Sequence, residues 1–276
     1  MLRRTLLEGA PKSGLDRRAR LESLFLHLLI AIPTHSRTIE AETLVSLLTS
    51  GAAAIRRGWR LDVAFYAGPD LDELRNRMAG DMLAVAADAL FMLDGDQAMD
   101  ARLLERMVDS GHPVVGAMYP RRGYRWPEPP ETPAADIATL LARATAYVGA
   151  LRFDDSALTR VTVVDDFAPA AQVGGGCWLV RREPFERLQA AYPDLEGRGA
   201  PEDDPAPAGN WAFFTTLPDP VTGQPLTEDF AFSSRWLECG GALWLDVASS
   251  VLHVGRHEHR GAYVDHLESL APRAQG

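Results

Sequence analysis

Ala86-Ala87-Asp88-Ala89-Leu90-Phe91-Met92-Leu93-Asp94-Gly95-Asp96 is a short apolar run that stops at two carboxylates separated by a glycine. Continuous apolar residues bounded by acids predict a strand buried on both faces, and open α/β sheets collect function beyond the carboxyl ends of such strands. Asp94 and Asp96 are therefore candidate site residues. Residues i and i+2 point the same way, so this D-x-D turn can offer two carboxylates to one cation, and Gly95 lets the backbone turn with no side chain in the way. A magnesium or manganese ion held there keeps positions open for phosphate oxygens. The competing reading is an acidic strand-end turn in solvent.

Composition sets outer limits on what surrounds that turn. The chain has 276 residues, 46% of them apolar, enough to bury the core of one large α/β domain or two small ones. The formal charge of −10, with Lys12 the only lysine, argues against a nucleic-acid-binding surface, so an acidic ligand would need local arginine or metal. Cys177 and Cys239 make neither a zinc spacing nor a disulfide framework, which points to a reducing compartment. No apolar run approaches the ~20 residues of a membrane span, and no transmembrane segment is expected. The arginine-rich start lacks a secretory pattern, so the expected location is cytoplasmic.

Upstream of the turn, residues 1–24 are basic and interrupted by Gly9, Pro11 and Gly14, and read as an extension. Leu24 to Ile32 ends in the first strand, and Pro33-Thr34-His35-Ser36-Arg37 forms the loop at its carboxyl end, where a nucleotide could sit. Thr38 to Arg57 has helical spacing, with Gly58 as its stop. Leu61 to Ala67 reads as the second strand. Asp70 and Glu73 have capping-box spacing for a helix from Leu71 to about Ala87, with an apolar face of Leu71, Leu74, Met78, Met82 and Val85. Arg75 and Asn76 fall near the amino end of that helix, where a guanidinium and the helix dipole both favour phosphate. The alternative is an arginine exposed on a helix surface.

Downstream, Asp100 to Ser110 predicts a helix and Val114 to Met118 a strand, so the β-α-β alternation implies a mostly parallel sheet. Tyr119 to Pro133 is rich in proline, tyrosine and arginine and reads as a loop; its Arg121, Arg122 and Arg125 could reach an anion, or its aromatics could simply cover the sheet. Ala134 to Ala150 is expected to be a helix and Arg160 to Val164 a strand. Gly174, Gly175 and Gly176 entering the apolar run Cys177-Trp178-Leu179-Val180 imply close backbone approach or a packing bulge. Glu183 to Tyr192 reads as a helix, followed by a long loop to Pro225 carrying Trp211, Phe213 and Phe214. Thr227 is a candidate N-cap, with Glu228 and Asp229 in the first turn and Phe230, Ser233 and Leu237 on one face. Acids there are also favoured by the helix dipole alone. The last strands are Ala242 to Val247 and Ser250 to Val254, the latter carrying His253, which can offer a cation a nitrogen.

The order of these pieces resembles the GT-A-type glycosyltransferases. The resemblance runs over roughly residues 25 to 260. It is carried by Ile32-Pro33-Thr34, Leu74-Arg75-Asn76, the run to Asp94-Gly95-Asp96, Val173 to Arg182, Thr227-Glu228-Asp229-Phe230 and His253. It implies a single GT-A-like, Rossmann-like α/β domain over 25–265, a mostly parallel central sheet flanked by helices, and a tail from 266 to 276. It also implies a metal-dependent transferase that moves a sugar from a nucleotide-diphosphate donor to a hydroxyl acceptor. Asp94, Asp96 and His253 would hold Mn2+ or Mg2+, and Pro33, Thr34, Arg75, Asn76, Asp94, Gly95 and Asp96 would contact the donor. Asp229 would be the base of an inverting displacement, with Glu228 in reserve, and Gly174 to Gly176 would form the acceptor-side wall. Many relatives carry an acidic pair after the second strand, where this chain has Ala67-Gly68-Pro69-Asp70, so the nucleobase stays open. The alternatives are a non-catalytic nucleotide- or sugar-binding module, a haloacid-dehalogenase-type phosphatase with Asp94 as nucleophile, and a zinc site on His253, His257 and His259.

Overall fold

In the computed structural model the apolar run forms a strand, Ala89–Leu93, in which every residue is buried. The structure describes residues 26–126, 136–155, 157, 160–197, 210–219, 222–255 and 259–270. In chain order the elements are β1 (His27–Thr34), α1 (Ala41–Arg57), β2 (Arg60–Ala67), α2 (Leu71–Ala84), β3 (Ala89–Leu93), β4 (Gln97–Met99), α3 (Ala101–Asp109), β5 (Val114–Ala117) and β6 (Tyr119–Tyr124). Then follow α4 (Ile137–Ala144), β7 (Thr145–Val148), β8 (Ala150–Leu151), β9 (Phe167–Gln172), β10 (Cys177–Arg181) and α5 (Arg182–Ala191). The chain closes with α6 (Glu228–Glu238), β11 (Leu243–Asp246), β12 (Ser250–His253), β13 (His259–Ala262) and α7 (Tyr263–Leu270), the last of which spans the expected boundary at residue 265.

The central sheet has eight strands in the order β2-β1-β3-β10-β5-β11-β9-β8. β1 is parallel to both β2 and β3, and β5 is parallel to β11, whereas β10 and β9 run against their neighbours. Six of the eight strands therefore share one direction, the mixed α/β architecture expected of a mostly parallel sheet. Alternation along β1 divides the core between two layers. Leu28, Ile30 and Ile32 pack with Leu47 and Ala54 of α1 and Leu103, Leu104 and Met107 of α3. Leu29 and Ala31 pack with Leu74, Met78 and Met82 of α2, Phe185 of α5, and Phe232 and Trp236 of α6. Consecutive crossovers thus lie on opposite faces, and the chain reverses its direction of travel across the sheet between β1 and β3.

Several elements differ from expectation. Tyr119–Tyr124 is a strand paired with β7, since prolines are tolerated on a two-stranded ribbon, and residues 127–133 lie outside the described residues. The helix expected over 134–150 stops at Ala144, because Thr145-Ala146-Tyr147-Val148 has β-branched and aromatic residues that pair with β6. Residues 160–163 form no strand; Asp165 and Asp166 both take positive φ and turn the chain into β9 instead. α2 ends at Ala84, before Ala86 enters the left-handed region at φ 55°. Its inward face is Leu74, Arg75, Met78 and Met82, with Leu71 and Val85 exposed, so the exposed-arginine reading of Arg75 is overturned. On α6 the buried residues are Asp229, Ala231, Phe232, Ser233, Arg235 and Trp236, with Phe230 and Leu237 only half-buried. Trp211, Phe213 and Phe214 are buried against Phe185 and Phe232, so this aromatic part of the long loop is core.

Candidate functional site

The D-x-D turn is held from every side by backbone. Asp94 N–H donates to Gly176 O at 2.8 Å, Gln97 N–H to Asp94 O at 3.0 Å, and Val254 N–H to Asp96 O at 2.7 Å. Glu40 N–H donates to Gly95 O at 2.8 Å, and the Thr43 hydroxyl lies within hydrogen-bond distance of the carbonyls of both Gly95 and Gln97. The start of α1 therefore sets the turn's position. A cleft of about 340 Å³ opens above it, lined by the loops that follow β1, β2 and β3, including Pro33, Thr34, Ser36, Gly68, Pro69, Asp94, Gly95 and Asp96. It lies at the carboxyl ends of these strands, where the strand order reverses, the position in which open α/β sheets bind ligands. Thr34 Oγ1 is buried with no partner among the described residues.

The charged side chains converge in two groups. Arg75, 2% exposed, reaches behind Asp94, with Nη2 3.4 Å from Asp94 Oδ1 and Nη1 3.1 Å from Glu228 Oε1. Burial opposes its charge, but Asp94, Glu228 and Asp229 outweigh that and hold its pKa above the ordinary value. Burial, reinforced by neighbouring carboxylates, raises both Asp94 and Glu228, and the nearby Arg75 offsets only part of the effect. In the second group His253 stands beside Asp96, because β12 pairs with β4 and sets His253 opposite Gln97. His253 Nε2 lies 3.5 Å from Asp96 Oδ1, and Arg122 Nη1 lies 2.9 Å from Asp96 Oδ2. Burial works against ionisation of Asp96, but His253 and Arg122 overcome it and keep this carboxyl below its usual range. Burial lowers His253, whereas its contacts with Asp96 and Pro120 raise it, and the net direction is up. His253 Nδ1 sits 2.8 Å from the Pro120 carbonyl, which can only accept, so Nδ1 carries hydrogen and Nε2 faces the site.

The three glycines explain how these side chains fit. A β-carbon on Gly175 would lie 1.4 Å from Arg75 Nη1, and one on Gly176 would lie 2.1 Å from Gln97 Nε2 and 2.8 Å from Asp94 Oδ2. The close approach implied by Gly174 to Gly176 is therefore made by this chain's own side chains: Val148 and Tyr119 at Gly174, Arg75 at Gly175, and Gln97 and Asp94 at Gly176. Asp229 has a different task from the one expected of it. Its Oδ2 accepts from Gly175 N–H at 2.7 Å and positions the glycine strand entry, while Oδ1 accepts from Phe230 N–H at 2.8 Å and from the Thr227 hydroxyl at the start of its own helix, so both oxygens are committed. Thr227 accordingly makes no side-chain cap bond to the helix backbone. Asn76 is not at the cleft; its Oδ1 accepts from Phe214 N–H at 2.8 Å and anchors the aromatic loop.

Of the expected ligand set of Asp94, Asp96 and His253, the imidazole lies against Asp96, 3.5 Å from its Oδ1. The donors of the set suit a hard divalent cation: two carboxylates and an imidazole whose Nδ1 is fixed by a carbonyl. Among the described residues no three His, Cys, Asp or Glu side chains converge on one point, because Asp94 turns toward Arg75. The zinc alternative includes His257, outside the described residues. Gln97 and Tyr119 carried no recognisable sequence signal. Tyr119 Oη accepts from Gly176 N–H at 3.1 Å, and both Gln97 amide atoms are buried and unpartnered among the described residues.

No helix among the described residues is long and apolar enough to cross a membrane. No family model matches the chain, and no curated protein matches its sequence. Among solved structures it is similar to A197 from STIV, at 14% identity and a TM-score of 0.44 over 83% of this chain and 86% of that one. It is also similar to apo UDP-glucose pyrophosphorylase, at 7% identity and a TM-score of 0.35 over 91% of this chain and 82% of that one. Similarity at this level extends to neither substrate nor activity.

Proposed function

We propose that the chain is a nucleotide-sugar-dependent glycosyltransferase of GT-A type, transferring a sugar to a hydroxyl acceptor with inversion. The observation that carries this reading is the cleft at the β1/β3 reversal with the D-x-D turn as its floor. Pro33, Thr34 and the residues after them would take the nucleoside, and the diphosphate would lie toward Asp94-Gly95-Asp96. Asp94, Asp96 and His253 would hold Mn2+ or Mg2+, which supplies positive charge beside the departing diphosphate. Arg122, already at Asp96, adds a guanidinium that can turn to a phosphate oxygen. Arg75 serves from behind, fixing Asp94 and Glu228 relative to each other.

Glu228 is the better choice of base. Asp229 spends both oxygens on hydrogen bonds, whereas Glu228 is paired only with Arg75 among the contacts described, and burial lifts its pKa toward the working range. Its carboxylate would take the acceptor's hydroxyl proton as the oxygen attacks the anomeric carbon and the diphosphate leaves. Asp94, half-buried and paired with Arg75, is a poor candidate for the nucleophile of a phosphatase.

The test is nucleoside diphosphate release from a panel of nucleotide sugars with manganese. Wild type should turn over at least one donor, Asp96→Ala should lose that activity, and Glu228→Gln should lose turnover while keeping donor binding. A nucleoside diphosphate with manganese should also raise the thermal midpoint, since a ligand at 100 times its Kd adds about 2.7 kcal/mol. Equal turnover by wild type and Asp96→Ala would end the metal assignment. Metal-dependent binding with no turnover on any donor would favour the binding-module reading.

A further inference from the structure

One outer edge of the sheet is β2, separated by β1 alone from the strand that ends in the D-x-D turn. It is an eight-residue strand with no partner on its outer side among the described residues. Arg60 N–H donates inward to Leu26 O, so by strand alternation Leu61, Val63, Phe65 and Ala67 turn their N–H and C=O groups outward. The same residues stand in register with Leu28, Ile30 and Ile32 of β1, so Leu61, Val63 and Phe65 share the sheet face covered by α1. Val63 is 43% exposed and Phe65 55%.

α1 continues this surface. Arg56 and Arg57 pair with Glu105 and Asp109, which fixes one flank of the helix against α3. Leu44, Leu48 and Ile55 lie on the flank away from α3, a single stripe at i, i+4 and i+11, and are 49%, 66% and 83% exposed. From Thr43 to Ile55 the helix has no charged residue. The five side chains expose roughly 500 Å², in the range of the largest apolar patch on a soluble protein, which is often functional. Natural edge strands are usually blunted by charges, proline or a bulge; β2 has no proline or bulge, and its two charged residues, Arg60 and Asp62, pair with each other and with His27 on the face opposite Val63.

We infer that this face binds a second copy of the chain, with β2 pairing antiparallel to β2 across a two-fold axis at Val63. That register sets Val63 opposite its own copy and Leu61 opposite Phe65 in both directions, so every cross-strand pair on the α1 face is apolar. The outward N–H and C=O groups of Val63 are exchanged between copies. Two α1 stripes then close over the joined strands. Adding the strand backbone to the apolar side chains brings each copy toward the ~800 Å² of a standard interface. A lipid surface fits less well, because an open strand edge finds no hydrogen-bond partners in hydrocarbon.

Sedimentation velocity of the full chain over a wide concentration range tests this. Wild type should sediment as a dimer, and Phe65→Lys and Ile55→Glu should each sediment as monomers with unchanged circular dichroism. Ile55 is exposed enough that its variant keeps the fold. In a Cys239→Ser background, Val63→Cys should cross-link to a dimer with a short bismaleimide. The inference is overturned if wild type stays monomeric at every concentration, or if the dimer survives both charge substitutions. It is equally overturned if a monomeric Val63→Cys resists maleimide, which would mean residues 1–25 cover the edge, or if a monomer floats with liposomes.

Discussion

Adding one methyl group at Gly175 should cost far more than adding one at Gly51, although both changes read Gly→Ala. At Gly175 the new β-carbon would fall 1.4 Å from Arg75 Nη1, 2.3 Å from Cζ and 2.7 Å from Nη2. Restoring ordinary contact near 3.4 Å moves the guanidinium by about 2 Å, beyond the reach of its pairings at 3.4 Å to Asp94 and 3.1 Å to Glu228. Breaking a buried pair by displacing one partner costs about 3–5 kcal/mol, since the carboxylates stay behind uncompensated. If the backbone yields instead, the Gly175 N–H bond to Asp229 and the Asp94 N–H bond to Gly176 O are lost together. At Gly51, inside α1, nothing lies within 4 Å of the new atom, and the helix gains about 0.5–1 kcal/mol from reduced backbone freedom in the unfolded chain. Urea unfolding of the two variants should therefore place their midpoints on opposite sides of wild type. In an Arg75→Ala background, which empties the contested space, Gly175→Ala should become nearly neutral. A Gly175→Ala protein within 1 kcal/mol of wild type, or a cost unchanged by removing Arg75, would refute the account of how the glycines and the arginine fit together.

Three further outcomes follow from particular contacts. His112 stacks on Trp244 at 4.1 Å, and burial, with the Arg181 charge second, lowers its pKa to about 4. An unfolded histidine protonates near 6.5, so this contribution is complete above that pH and falls away toward pH 4. His112→Phe should flatten that part of the stability profile measured between pH 7 and 4.5, and an unaltered slope counts against the assignment. Arg106→Met should destabilise by about 2–3 kcal/mol in urea titrations, because the fully buried Asp246 loses its guanidinium at 2.6 Å while keeping the N–H groups of Ala248 and Ser249. Asn76→Ala should cost about 1–3 kcal/mol by stranding the Phe214 N–H, and should raise proteolytic cleavage near Trp211 without altering manganese affinity. A change in manganese affinity there would return Asn76 to the ligand site.

The sequence alone determined the core of the sheet and the location of the acidic turn, because both are local. Ala89 to Leu93 has no polar atom to expose, so it must be a buried strand, and the acids after it must mark the strand's end. Gly58 and the spacing of Leu47, Ala54 and their neighbours likewise specify α1. Tertiary structure decided the rest. Arg75 is in helical sequence like any surface arginine, and only the coincidence of Gly175 with its side chain lets it be buried. Asp229 and Glu228 are adjacent acids in one first turn, yet the strand entry claims one for its backbone N–H and leaves the other to Arg75. Thr145 to Val148 became a strand because β6 lay alongside to pair with it. Strand pairing, burial and ion pairing join residues from about 20 to about 150 positions apart, and no spacing along the chain records which of them will meet.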